Sequence, residues 1–214
     1  MIPWRPIDLD HEQPMTWIRT IPYGEARGRL KRLYDRIKGP DDDIDNIMIA
    51  HSLRPPTLEG HMALYKNVLH HSGNRLPKWL SEALGLYVSL LNGCAYCVAH
   101  HGEGLRRRLG DEARAEAIRS ALEAGAPEHA FAGAELALMA YARALTEAPA
   151  ALTEAAVAGL RAAGLDDGEI LEANQVIAYF AYANRTVQGL GVTTEGDRLG
   201  LSPSAAEGDD WGHQ

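Results

Sequence analysis

The chain has 214 residues, 46% hydrophobic and 23% charged, enough to bury one core without disulfides or metals. Its 21 basic and 29 acidic side chains leave a net charge of −8, which argues against nucleic-acid or anionic-membrane binding, since both need a positive surface. The start, MIPWRPIDLDHEQP, lacks the basic and apolar regions of an export signal, and the most apolar run, 83–99, is too interrupted to span a bilayer.

Residues 1–21 carry three prolines and little periodicity, and read as an extended arm. From Tyr23 the spacing of Leu30, Leu33, Tyr34 and Ile37 predicts a helix that Gly39-Pro40 stops. An acidic loop over 41–45 leads into a short helix through Ile47, Met48 and Ile49. Pro55-Pro56 opens the next, with Leu58, Met62, Leu64, Tyr65 and Leu69 near one face. After Ser72-Gly73-Asn74, Leu76-Pro77 starts a helix to about Asn92, which Gly93 ends as a left-handed cap. Another helix runs from Cys94 to Leu109-Gly110, and amphipathic segments follow at 111–124, 130–147, 153–164 and 166–189. No stretch alternates as a strand does. The expected fold is an all-α bundle of eight or nine helices over 22–199, and the small, acidic residues 200–214 read as a disordered tail.

The chemistry concentrates in NGCAYCVAHH, residues 92–101, which holds both cysteines of the chain. With no export signal a reducing, cytoplasmic location is expected, where such a pair reads as metal-binding or catalytic rather than as a permanent disulfide. Haem attachment would need His after the second Cys, where Val98 stands. A structural zinc site wants four ligands, and the adjacent His100 and His101 point about 100° apart on a helix. Zinc held by both cysteines, one histidine and Glu82 stays open as a minority reading, beside two inert buried cysteines and a redox dithiol. Helical spacing favours the dithiol: Cys94, Cys97 and His101 fall on one stripe, and His100 falls off it. A helix start and a neighbouring imidazole are two devices that activate a thiol. Glu82 sits at matched height across the Asn92-Gly93 hairpin, amid apolar neighbours, where it can orient His101.

Glu82, Cys94-Ala95-Tyr96-Cys97 and His101 together resemble the active-site signature of the alkylhydroperoxidase D-like proteins, within the carboxymuconolactone decarboxylase superfamily. HSLRPPTLEGHMALYKNVL (51–69), VSLLNGCAYCVAHH (88–101) and YFAYANRTVQGLGV (179–192) look like its peroxidase-related branch, so the likeness covers about residues 20–195. The resemblance implies an all-helical, cofactor-free hydroperoxidase with peroxidatic Cys97 and resolving Cys94. It would be recycled by a dithiol reductant of the thioredoxin-like or dihydrolipoyl kind and assembled as dimers, trimers or hexamers. The spacing of four from Cys97 to His101 also favours Cys97 as the attacking thiol, with His101 its base. Tyr96 stands where the best-studied members carry a histidine, and is a candidate relay that is a poor base at neutral pH. The rivals are a lactone decarboxylase of the same superfamily, which needs no CxxC, and a non-enzymatic redox sensor or partner-binding helical protein. Self-association is also expected because Phe131, Leu136, Leu138, Met139, Ile177, Phe180 and Tyr182 give the later helices more than one apolar face.

Overall fold

The computed structural model describes residues 15–39 and 42–201. All regular structure among them is helical: α1 (Gly28–Ile37), α2 (Asn46–Ala50), α3 (Pro55–Tyr65), α4 (Lys78–Leu91), α5 (Ala95–Leu109), α6 (Glu112–Glu123), α7 (Gly133–Glu147), α8 (Glu154–Ala162) and α9 (Asp167–Leu190). The all-α expectation holds, with nine α-helices among the described residues.

The hub is α4. Every residue from Leu80 to Ser89 is buried, the signature of a helix surrounded on all sides by others. It packs most extensively on α5, then on α9 and α7. It meets α9 tightly at Gly85, where an added Cβ would lie 2.2 Å from the Phe180 ring. No larger residue leaves room for that ring. Glu82 is buried for the same reason as its neighbours: it belongs to the central helix.

The ends follow local chemistry. Asp166 and Glu169 form a capping box at the start of α9, and Asp111 caps α6 by accepting from the Arg114 amide. Gly93, at φ +66°, makes the sharp turn between α4 and α5, and Gly191, at φ +62°, ends α9. Two segments depart from the expected course. Tyr23–Glu25 is a single 3-10 turn, and Ala26 and Arg27 are extended before α1 begins. The turn after α3, Lys66–His70, is π-helical, and the Asn74 side chain donates to the freed carbonyls of Asn67 and Val68.

Most of the apolar surplus expected to mark a subunit interface is buried within the chain itself. Phe131, Leu138, Met139, Ile177 and Phe180 all lie in the core, and Tyr182 alone of that group is exposed. The helices gain a second apolar face because α7 and α9 are each covered by α4 and by one another. The segment after α9 also packs: Asp197 is buried beneath α2 and α5, and Gly200 lies against Glu103. A boundary at 199 therefore cuts through packed chain. Residues 1–14 of the expected arm and 202–214 of the expected tail lie outside the described residues.

Candidate active site

The hairpin of α4 and α5 brings Glu82 and His101 together. Glu82 Oε2 accepts from His101 Nδ1 at 2.7 Å, which leaves Nε2 as the basic nitrogen of the ring. Burial works to raise the Glu82 pKa. The hydrogen bond and charge of His101, with smaller help from His70 and Arg108, outweigh it and hold the carboxyl below its usual value. Phe180 meets the His101 ring edge-on, with centroids 4.4 Å apart, so the imidazole is clamped by a carboxylate and an aromatic ring.

Cys94 and Cys97 are free thiols, both buried. Cys94 occupies the N-cap of α5. The Cys97 thiol donates to it, and the Cys97 and Tyr96 amides of the first turn donate too, which overcomes burial and lowers its pKa to about 7. Cys97, as the donor, is raised: by that bond, by burial and by the neighbouring charge, against hydrogen bonds from Asn184 and Ser89. The helix start thus acts on Cys94, whereas the sequence reading placed the activated thiol at Cys97.

Position favours the other cysteine. A cavity of about 360 Å³ is lined by Cys97, Glu82 and His101, with Tyr96, His100 and Tyr179 on its walls, and Cys94 does not reach it. Gly104 forms part of the floor, where an added Cβ would come within 2.7 Å of Glu82 Oε2. Beneath the turn, fully buried Asn184 accepts from Asn92 at 2.9 Å and donates to Ser89 Oγ at 3.1 Å.

A second polar cluster was not anticipated from sequence. Tyr96 donates its hydroxyl proton to Asp197 Oδ2 at 2.7 Å, and His100 Nε2 lies 3.1 Å from the same oxygen. The Asn46 amide donates to both Asp197 oxygens, at 3.0 and 3.2 Å. Tyr96 therefore lines the cavity with its hydroxyl already committed, its pKa pushed well up by burial and by the charges of Asp197 and Asp45. His100, off the cysteine stripe, is buried in this cluster and stacked on Tyr96. Gly104 and Asn184 had a weak signal in their helical spacing from His101 and Phe180. Asp197 had none.

Among the described residues, no group of three or more His, Cys, Asp or Glu is arranged to hold a metal ion. No helix among them is long and apolar enough to cross a membrane.

Residues 55–144, which include Glu82, both cysteines and His101, match the model of the carboxymuconolactone decarboxylase family. No curated protein matches the chain significantly. Among solved structures it is similar to a peroxidase-related protein of Ralstonia eutropha JMP134 with an alkylhydroperoxidase core, with TM-score 0.75 and 19% identity over 90% of this chain and 100% of that one. A peroxidase-related protein of Silicibacter sp. TM1040 gives TM-score 0.72 and 20% identity over 87% and 95%. The debrominase Bmp8 gives TM-score 0.66 and 18% identity over 85% and 93%.

Proposed function

We propose that this chain, whose residues 55–144 match the carboxymuconolactone decarboxylase family and whose fold is alkylhydroperoxidase D-like, is a thiol-dependent hydroperoxide reductase of that superfamily. The observation that carries this reading is the single cavity lined by Cys97, Glu82 and His101, with Cys94 in hydrogen-bond contact behind it. The Cys97 sulfur attacks the terminal oxygen of the peroxide while His101 Nε2 takes its proton. The O–O bond breaks, His101 returns the proton to the departing alkoxide, and the products are an alcohol and a Cys97 sulfenic acid. Cys94, ionised near neutrality, then attacks the Cys97 sulfur and displaces hydroxide, which takes a proton from solvent and leaves as water, forming the disulfide. An external dithiol donates two electrons and two protons to restore both thiols, and a cytoplasmic setting would keep such a reductant at hand.

In this scheme the lowered pKa of Cys94 serves the second step, and exposure to the cavity selects Cys97 for the first. Glu82 holds the imidazole in the tautomer whose free nitrogen is basic. The superfamily's decarboxylase chemistry needs no dithiol, so the paired sulfurs favour the redox reading.

The test is stopped-flow oxidation of the reduced protein by cumene hydroperoxide, with trapping of sulfenic acid. Cys97→Ser should form none, whereas Cys94→Ser should be oxidised once and keep a trappable sulfenic acid. The reverse pattern would assign attack to Cys94. Because a debrominase that shares the fold has been solved with 2,3,4-tribromopyrrole bound, that pyrrole belongs in the same assay; dithiol-dependent bromide release without peroxide consumption would replace the peroxidase reading.

A further inference from the structure

One stripe of α5 faces the cavity over its whole length: Cys97, His101, Gly104 and Arg108 all line it. Their spacings of four, three and four keep them within about 60° of one another around the helix. The reacting thiol stands at the top of this stripe, and a guanidinium at the bottom. Resting on the hydroperoxide reading above, we propose that Arg108 docks a carboxylate and that the substrate is an organic hydroperoxide with an anionic end remote from its peroxide group.

Four observations carry this. First, Arg107 and Arg108 both line the cavity, but Arg107 is tied to Glu103 at 2.8 Å. Arg108 has no hydrogen-bond or ion-pair partner among the described residues. Second, Lys66 and Lys78 lie close enough to feel its charge. They create a positive region on a chain whose net charge is −8. Third, the opposite end of the cavity is acidic. Asp197 is bonded there to the lining residues Tyr96 and His100, and Asp45, which keeps its proton up to about pH 7, adds its charge only above neutrality. Between the two ends the charge of Glu82 is met chiefly by His101 and only weakly by Arg108. A carboxylate is thus repelled beside Tyr96 and attracted beside Arg108, which turns an anionic substrate so that its other end meets Cys97. Fourth, Met48, Tyr65, Tyr179 and Leu201 line the same cavity and suit an apolar chain.

The helix also sets the length. Arg108 lies about 16 Å of rise from Cys97, and its side chain leans back toward the helix start, leaving a gap of about 10 Å between guanidinium and sulfur. A chain of about seven or eight carbons spans that gap.

Octanoate and 1-octanol are the probes, titrated calorimetrically into the reduced wild-type protein, Arg108→Ala and Arg108→Lys. Octanoate should bind at least about tenfold more tightly than octanol, and Arg108→Ala should remove about tenfold of octanoate affinity, since a charged hydrogen-bonded pair is lost. Arg108→Lys should recover part of it. In turnover, Arg108→Ala should cut the preference for a carboxylate-bearing hydroperoxide over cumene hydroperoxide by about tenfold. Equal binding of the two probes, or wild-type octanoate affinity in Arg108→Ala, overturns the docking role. Arg108-dependent octanoate binding in a protein that reduces no hydroperoxide would leave the docking site standing and remove the peroxidase reading.

Discussion

At the scale of single residues, Gly104 controls whether the carboxylate reaches the imidazole. It faces Glu82 across the hairpin, and a methyl group there would stand 2.7 Å from Oε2. Glu82 would have to retreat, stretching its bond to His101. Gly104→Ala should therefore slow the first oxidation step, while overpacking costs about 1–3 kcal/mol. Glu82→Gln, which keeps the shape and removes the charge, separates the two effects. If Gly104→Ala reacts with cumene hydroperoxide at the wild-type rate in stopped flow, the placement of Glu82 is irrelevant to the chemistry. Glu82, Cys97 and His101 were legible in the sequence because two rules of helix geometry, the four-residue stripe and the matched height across a hairpin, place them. Cys94 was legible as the thiol at the helix start, but the ionisation of the pair was not. It depends on which sulfur sits at the N-cap and which one donates, and both follow from the conformation of the turn at Cys94 rather than from spacing.

At the scale of elements, the helix cores were readable from periodicity and most ends from Gly, Pro or Asp, as at Gly93, Pro55 and Asp166. The strap after α9 was not, because irregular chain carries no periodic signal and its partners are remote. Asn46 holds it by donating its side-chain amide to the Thr193 and Glu195 carbonyls, both at 2.8 Å. Asp197 returns the contact by accepting the Asn46 backbone N–H and the Tyr96 hydroxyl. With its side chain only 2% exposed, that carboxylate joins the Asn46 side chain in fixing the strap to α2 and alone ties it to Tyr96 of α5. Asp197→Ala leaves buried donors without acceptors, each costing about 1–3 kcal/mol. It should lower the melting temperature and expose the Asn46 amide to hydrogen exchange, with the strap loosening over the cavity wall that Gly200 and Leu201 form. Unchanged protection of the Asn46 amide in the variant would mean that the strap is held by other contacts.

At the scale of the whole molecule, stability should fall on both sides of a window of pH set by buried titratable groups. On the acid side stand His51, His61 and His70, whose pKa values burial lowers, to about 3 for His61 and about 4 for His70. Their unfolded forms take up protons below about pH 6.5, so stability is lost as pH falls through that range. Glu82, held below its usual pKa, adds a loss at lower pH as it becomes protonated in the folded state. On the alkaline side stands Asp45. Burial raises its pKa to about 7, with His100 opposing and the charges of Asp197 and Asp43 adding. The folded state holds this proton more tightly than the unfolded chain, where a free aspartate titrates near 3.9. Stability from Asp45 is thus complete below about pH 4 and is lost as pH rises to 7. Asp45→Asn removes the ionisation but keeps the shape, so its advantage over wild type should grow between pH 5 and pH 8 and then level off. The full shift would correspond to about 4 kcal/mol, and the partial solvent access of this side chain reduces the expected gain to about 2 kcal/mol. Urea unfolding of both proteins at the two pH values measures it. An advantage no larger at pH 8 than at pH 5 would mean that the Asp45 carboxylate is ionised at little expense in the fold.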